Sequence, residues 1–208
     1  MKIILEKAGK KFYREWIFRN FNLELSSSDS LAVLGPNGSG KSTLLQVISG
    51  SMIPTTGNIF YTVDEKKIEG ENIFRELSFA APYLELIEEF TLKEIIRFHF
   101  GIRKAVKNFS NDEIISITGL EHSKEKIFKY FSSGMKQRVK LALALLSDVK
   151  IILLDEPCSN LDKEAMKWYR ELVAQYAMNK ITIVCSNNQT EEFEFCKRQL
   201  NMMDWKKQ

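Results

Sequence analysis

Residues Gly35-Pro36-Asn37-Gly38-Ser39-Gly40-Lys41-Ser42-Thr43 constrain this chain more tightly than any other stretch. The apolar run Leu31-Ala32-Val33-Leu34 precedes them, and Leu44-Leu45-Gln46-Val47-Ile48, with helical apolar spacing, follows. Strand, glycine-rich turn and helix, in that order, form the setting of a phosphate-binding loop. Such a turn leaves backbone N–H groups pointing inward, and the helix that starts there adds the positive end of its dipole. Gly35, Asn37, Gly38, Gly40 and Thr43 belong to the expected nest. Lys41 is placed to reach the β- and γ-phosphates of a nucleotide, and the Ser42 hydroxyl to help hold Mg²⁺. With Gly at about 7% of residues, the pattern G-x-x-x-x-G-K-[ST] arises by accident in roughly 1% of chains this long.

The totals fit one domain, or one domain with two lobes: 208 residues, 44% hydrophobic and 27% charged. A net charge of +3, from 30 basic and 27 acidic side chains, is too balanced to argue for a nucleic-acid partner. Cys158, Cys185 and Cys196 are widely spaced and include no C-x-x-C pair, which indicates neither a zinc site nor a disulfide framework. Lys2 and Glu6 place charge too early for a signal peptide. No apolar run approaches the roughly 18 residues a membrane span requires. Work at a membrane is therefore expected to go through a partner subunit.

Read in order, Lys2–Glu6, Trp16–Phe18, Phe21–Leu25 and Leu31–Leu34 are apolar-rich or alternating and predict short strands, with a loop over Ser26–Ser30. Asn58–Tyr61 and Leu77–Ala80 are further strand candidates. The pattern turns helical from Thr91 to about Phe131, including a helix over Asn111–Ile117 with Asn111 as its cap and Gly119 as its end. Phe90, Phe98, Phe100 and Phe109 in this region are expected in the core more than at an interface. Ser133–Ser147 and Lys163–Ala177 are helical again. Ile151–Leu154 is a continuous apolar run, the signature of a strand buried on both faces of a parallel sheet; Ile181–Cys185 reads as a second buried strand, and Arg198–Trp205 is a candidate for one more short strand.

The run Ile151–Leu154 ends in Asp155-Glu156. Ligands of parallel α/β sheets sit at the carboxyl ends of strands, so Asp155 is expected to hold Mg²⁺ opposite Ser42. Glu156 follows as a candidate general base for an attacking water. Upstream, Phe131-Ser132-Ser133-Gly134-Met135 opens a helix. Taken alone this is an ordinary cap, although a capped helix start also suits an anion.

Together these motifs resemble the nucleotide-binding subunit of an ATP-binding cassette (ABC) transporter over nearly the whole chain. Gly35–Thr43 is similar to the family's Walker A, Phe131–Met135 to its LSGGQ signature, Ile151–Glu156 to its Walker B, and Ser159-Asn160-Leu161-Asp162 to its D-loop. The resemblance implies an α/β P-loop NTPase of the ABC type spanning residues 1–208. Its parts would be a mostly parallel core sheet, an N-terminal antiparallel β lobe and a helical subdomain inserted over about residues 91–147. It implies ATP and Mg²⁺ as cofactors, a head-to-tail dimer with itself or a sister cassette, and a separate membrane-spanning subunit. In that arrangement Ser132 and Gly134, with Ser133 between them, face the γ-phosphate in trans, and Asp162 marks the D-loop. Phe12 falls where the family stacks adenine, with Tyr13 beside it. The implied location is cytoplasmic, peripheral on the inner face of the membrane.

The sequence departs from the family pattern at three places. Ser133 and Met135 replace the commonest Gly and Gln of the signature; Pro82 stands where the Q-loop glutamine falls; Asn188 stands where the switch histidine falls. Proline offers no side-chain amide, and asparagine donates a hydrogen bond without carrying a titrating proton. ATP binding with slow hydrolysis is the resulting expectation. The alternatives are an ATP-dependent clamp that does not turn over and a soluble ABC ATPase outside transport.

Overall fold

The computed structural model describes residues 1–206, which group into two compact units. The first comprises residues 1–79, 149–156 and the chain from 179 onward. It holds two sheets. In the antiparallel sheet the order is β2 (Glu15–Ser26), β1 (Lys2–Phe12), β4 (Thr56–Val63) and β5 (Lys66–Ile68). In the other sheet the order is β6 (Leu77–Ala80), β7 (Ile151–Asp155), β8 (Ile181–Ser186), β3 (Ser30–Leu34) and β9 (Arg198–Asn201). The pairs β7–β8, β8–β3 and β3–β9 are parallel.

The N-terminal strands are longer than the apolar pattern predicts. Trp16–Phe18 and Phe21–Leu25 lie on one strand, β2, and β1 continues past Glu6 to Phe12. Lys7 and Asn20 take left-handed φ values of 48° and 52°, and the β1–β2 register shifts between Leu5 and Ala8 and again between Ala8 and Lys10. Bulges of this kind add a residue and interrupt the alternation without ending the strand. β5 was not expected. It forms because Asp64 and Glu65 adopt φ of 48° and 65° as the two central residues of a tight hairpin closed by Val63 and Lys66.

The core of this unit joins both sheets to helix α1 (Lys41–Ile48): Ile3, Leu5, Phe18, Phe21, Leu31, Val33, Leu44, Leu45, Ile48, Ile151, Leu153 and Ile183 are all buried. Each such side chain contributes about 1.5–3 kcal/mol through burial. The Tyr61 hydroxyl of β4 donates to the Ile48 carbonyl at 2.9 Å and so satisfies one of the carbonyls left open at the end of α1. β7 and β8 are buried along their whole length, as their apolar-rich sequences predict.

The second unit comprises residues 80–148 and 157–178 and is built from α2 (Leu92–Ile102), α3 (Asn111–Thr118), α4 (Ser133–Leu145) and α5 (Lys163–Tyr176). α2 and α3 each begin with a capping box. Thr91 pairs with Glu94, and Ser110, not Asn111, pairs with Glu113. The spacing decides this: Ser110 has a glutamate three residues on, whose carboxylate reaches back to the Ser110 N–H at 2.7 Å, whereas Asn111 has Ile114 there. Gly119 ends α3 in the left-handed region with φ 66°. Trp168 of α5 donates its indole N–H to the Ile117 carbonyl at 2.7 Å, while Arg138 of α4 stacks over the Trp168 ring at 4.8 Å.

None of Phe90, Phe98, Phe100 and Phe109 is buried, and Phe98 is 54% exposed. The buried apolar positions around them are aliphatic Leu92, Ile95, Ile96, Ile114 and Ile115, with Phe128 and Phe131 from the approach to α4. On α2 the aliphatic residues occupy the inward face, and the helical period carries Phe98 outward.

His99 of α2 is half-buried. Its Nε2 lies 2.9 Å from the Ser147 hydroxyl, whose own hydrogen goes to the Leu143 carbonyl at 2.6 Å. The imidazole therefore donates through Nε2. Burial first, and then repulsion from Arg103, pushes the His99 pKa down to about 4. Between that value and the ordinary 6.5 the unfolded chain binds the extra proton. The neutral state thus favours the fold above pH 6.5, and that contribution is lost as pH falls toward 4. It amounts to about 3 kcal/mol at most. Urea midpoints measured from pH 7 to pH 4.5 are expected to fall more steeply for the wild type than for His99→Gln, which keeps the donor without the proton equilibrium.

Candidate functional site

The loop Gly35–Ser39 leaves the end of β3 and feeds directly into α1. Gly40 sits at the N-cap of α1 with φ 104°, and a Cβ there would stand 2.4 Å from Ile17 Cγ2. Only glycine meets both conditions. Ser39 N–H donates to the Pro36 carbonyl, and Leu44 N–H donates to the Gly40 carbonyl at 2.9 Å. The helix start itself has no side-chain cap and no acidic residue in its first turn. α1 is alone in this among the α-helices of the described residues, for Thr91, Ser110, Ser132 and Asp162 cap the other four. Helix donors left without a protein acceptor are the physical basis of anion binding at a helix start.

The other groups of this unit lie at the same edge of the parallel sheet. Cys185 is in register with Val33 on one side and Asp155 on the other, so Asp155 stands two strand spacings, about 10 Å, from β3. Asp155 ends β7 and is buried, and Glu156 follows with φ 44°, its N–H bonded to the Cys185 carbonyl at 2.9 Å. A left-handed φ is uncommon for a residue of this kind and marks a position the surroundings hold in place. Lys41 is buried, and its ammonium bonds the Gly35 and Pro36 carbonyls at 2.8 and 3.2 Å. Beneath the loop the Cys185 thiol donates to the Lys41 carbonyl at 3.6 Å, and burial holds its pKa well above the ordinary thiol range. Ser42 and Thr43 are half-buried, while Asn37 and Gly38 are exposed.

Asn188 is exposed with φ 63°. The register adds a neighbour that sequence reading passed over. Ser186 pairs with Leu34, so Asn187 is the first residue off β8, level with the start of the glycine-rich loop. Phe12 and Tyr13 occupy the tip of the β1–β2 hairpin, where Phe12 is 42% exposed, Tyr13 wholly so, and Lys10 lies 5.3 Å over the Phe12 ring.

The second unit holds the remaining predicted residues. Ser132 caps α4, its Oγ accepting from the Met135 N–H at 3.2 Å. That bond uses an acceptor lone pair and leaves the hydroxyl hydrogen to donate elsewhere. Ser133 is exposed at the first helical position. Gly134 packs against Asn160: a Cβ at Gly134 would stand 2.8 Å from the Asn160 carbonyl oxygen. Asn160 is left-handed, φ 63°, and Asp162 caps α5 by accepting from the Ala165 N–H at 2.8 Å. The Gln137 side chain donates to the Pro157 carbonyl at 2.9 Å. Pro82 contributes its backbone carbonyl, which accepts from Lys140 Nζ at 2.7 Å.

A parallel sheet with a glycine-rich loop at its carboxyl edge, an uncapped helix start and an acidic pair on the strand beyond its neighbour defines a P-loop NTPase fold. The sequence model of the ABC transporter family matches residues 18–159. The chain belongs to that family. It is 31% identical over 202 residues to the sulfate/thiosulfate import ATP-binding protein CysA of Mesostigma viride, covering 93% of this chain and 57% of that protein. To the probable CysA of Chlorella vulgaris it is 31% identical, covering 93% of this chain and 84% of the other. To the Fe(3+) ions import ATP-binding protein FbpC of Vibrio cholerae it is 31% identical, covering 92% and 56%. Against the first and last of these the chain spans less than two-thirds of the relative's length. Among solved structures, a putative ABC transporter ATP-binding protein from Pyrococcus furiosus superposes with a TM-score of 0.82 at 19% identity, covering 99% of this chain and 100% of that one. A dimeric ATP-binding cassette bound to ADP and Pi gives 0.80 at 24% identity, covering 96% and 93%.

The contact between Gly134 and Asn160 makes a measurable demand. Gly134→Ala forces a backbone oxygen to move and is expected to cost about 1–3 kcal/mol in urea denaturation. Ser133→Ala, one residue away and exposed, is expected to stay within about 0.5 kcal/mol of the wild type.

Proposed function

We propose that the chain binds ATP and hydrolyses it slowly, as the nucleotide-binding subunit of an ABC transporter whose membrane-spanning part is a separate chain. The observation that carries this reading is the uncapped start of α1 within Gly35–Thr43, beside Asp155 and Glu156. The phosphates would lie on the N–H groups of Gly38, Gly40, Lys41, Ser42 and Thr43, with Gly35 and Asn37 shaping the turn. Lys41 would exchange its two loop carbonyls for phosphate oxygens, a stronger charge-assisted contact.

The Ser42 hydroxyl and the Asp155 carboxylate form a hard oxygen donor set of the kind Mg²⁺ takes. Bound there with ATP, the ion supplies neutralisation of charge on the phosphate oxygens. Glu156 accepts the proton of the attacking water, held in place by its N–H bond to Cys185. Asn188 or its neighbour Asn187 donates an amide hydrogen to the γ-phosphate but takes up no proton, and Pro82 offers no amide; both features favour slow turnover. Phe12, exposed at the hairpin tip, suits stacking on adenine.

The second unit would complete the site of another copy, or of a sister cassette, in a head-to-tail dimer. Ser132 has a hydroxyl hydrogen to give, Gly134 and Ser133 stand beside it, and Asp162 fixes the adjoining loop. The transport partner would dock on exposed apolar side chains of this unit, Tyr83, Leu84, Ile87, Phe98 and Ile102. No helix of the described residues is long and apolar enough to cross a membrane, which suits a subunit held at the cytoplasmic face through its partner. The import-protein names of the relatives support the transport role.

Glu156→Gln is expected to retain Mg·ATP and accumulate a dimer on size exclusion, with hydrolysis reduced by about 10²–10⁴. Hydrolysis by that variant at the wild-type rate would remove Glu156 from the base role. Wild-type turnover in the assembled complex is expected well below the ~10 s⁻¹ typical of enzymes. Complete absence of turnover there would favour the clamp reading.

A further inference from the structure

Residues 81–90 carry exposed apolar side chains, yet their backbone is bound to the approach and the first turns of α4. Phe128 N–H donates to the Phe90 carbonyl at 2.8 Å and Lys129 N–H to the Glu88 carbonyl at 3.0 Å. From α4 itself, Lys140 Nζ reaches the Pro82 carbonyl at 2.7 Å and the Ala81 carbonyl at 3.4 Å, and Lys136 Nζ pairs with Glu88 Oε1. Lys136 and Lys140 are one helical turn apart on the same face. The Lys136 N–H also donates to the Ser132 carbonyl at 2.9 Å, within the first turn of the helix.

We propose that Lys140, helped by Lys136, is a positioning residue that ties Pro82–Glu88 to the start of α4, so that displacement of this segment is delivered to Ser132–Gly134. The inference rests on the nucleotide-dimer reading above and names the linkage that regulates that site. Pro82 lacks both an N–H and a polar side chain, so its carbonyl is the one polar group it can offer, and Lys140 takes it. Lys140 is half-buried, and its ammonium is disfavoured first by burial and then by repulsion from Lys136, with Glu85 acting in the opposite sense. A surface lysine kept for solubility would not be held in so unfavourable a place; one that grips two carbonyls would. The Lys136–Glu88 pair is more exposed and contributes less. Between the two grips Tyr83, Leu84 and Ile87 face outward, where a partner could push on them.

Hydrogen exchange of the full chain, with and without Mg·ATP, tests this. In the wild type Mg·ATP is expected to slow exchange at residues 35–43 and to slow it by about tenfold at residues 83–90. In Lys140→Met the first effect is expected to persist while the second falls below about twofold, with an unchanged melting temperature. Lys136→Glu is expected to weaken the second effect partially, and the Lys136→Glu/Glu88→Lys pair to restore it. Full protection of 83–90 in Lys140→Met overturns the inference. So does early melting of that variant with faster exchange throughout 80–148, because that outcome belongs to a structural staple. Absence of protection at 35–43 in the wild type overturns the nucleotide reading itself, and the two failures are thereby distinct.

Discussion

The left-handed turn at Gly40 is the constraint on which the site depends. It lets the chain leave a buried strand and start α1 within a few residues, close against Ile17, with no side chain available to cap the helix. Every other α-helix of the described residues has its first turn satisfied by a Ser, Thr or Asp oxygen. Relative to the glycine found here, an N-cap of that kind contributes a few tenths of a kcal/mol, so its omission is a small local sacrifice of stability. The fold offsets it by burying Leu44, Leu45, Val47 and Ile48 completely and by ending the helix on the Tyr61 hydroxyl. The amino end is thereby left to a ligand while the rest of the helix is held by packing.

The caps of α4 and α5 divide their duties differently. Ser132 and Asp162 are both structural caps and both motif residues. A serine cap accepts from the backbone and keeps a hydrogen to donate, so it can serve the helix and an anion together. An ionised aspartate cap has lone pairs only and can add acceptor contacts but no donation to phosphate. The chemistry of the two caps therefore suits Ser132 to the proposed anion contact and Asp162 to loop geometry. Gly134 belongs with the second duty as well as the first, since its missing side chain is what lets the Asn160 carbonyl approach.

Much of this was legible in the sequence, and the exceptions have physical reasons. The buried strands β7 and β8 announced themselves by their apolar content, unbroken from Ile151 to Leu154 and interrupted only by Thr182 from Ile181 to Cys185, because both of their faces are covered. The glycine-rich loop was legible because its backbone demands glycine. The first sheet was read as fragments because the irregularities near Lys7 and Asn20 interrupt the alternation without ending the strands. β5 was missed for a similar reason, its hairpin using Asp64-Glu65 where a glycine would have advertised the turn. Asn187 could be found only through the pairing of Ser186 with Leu34, since register is a property of strands brought together and not of either strand alone. Phe98 turns outward although its type favours burial, because residue type predicts burial only on average and aliphatic residues already fill the inward face of α2, while Phe90, Phe100 and Phe109 are half-buried.

Two of the chain's left-handed residues lie where the chemistry is proposed. Between β7 and α5 the backbone enters the left-handed region at Glu156, at about 1–2 kcal/mol, and again at Asn160, whose short amide side chain tolerates it better. Each excursion is held by a specific bond or contact: Glu156 by the Cys185 carbonyl, Asn160 by the close approach to Gly134, and the residue between turn and helix, Leu161, by the Cys158 carbonyl at 3.0 Å. Relaxing Glu156 to an ordinary φ would break its bond to β8 and swing its carboxylate away from the end of Asp155's strand. Fixing a carboxylate by its backbone rather than by side-chain partners leaves both of its oxygens free to accept a proton. That is the condition a general base requires.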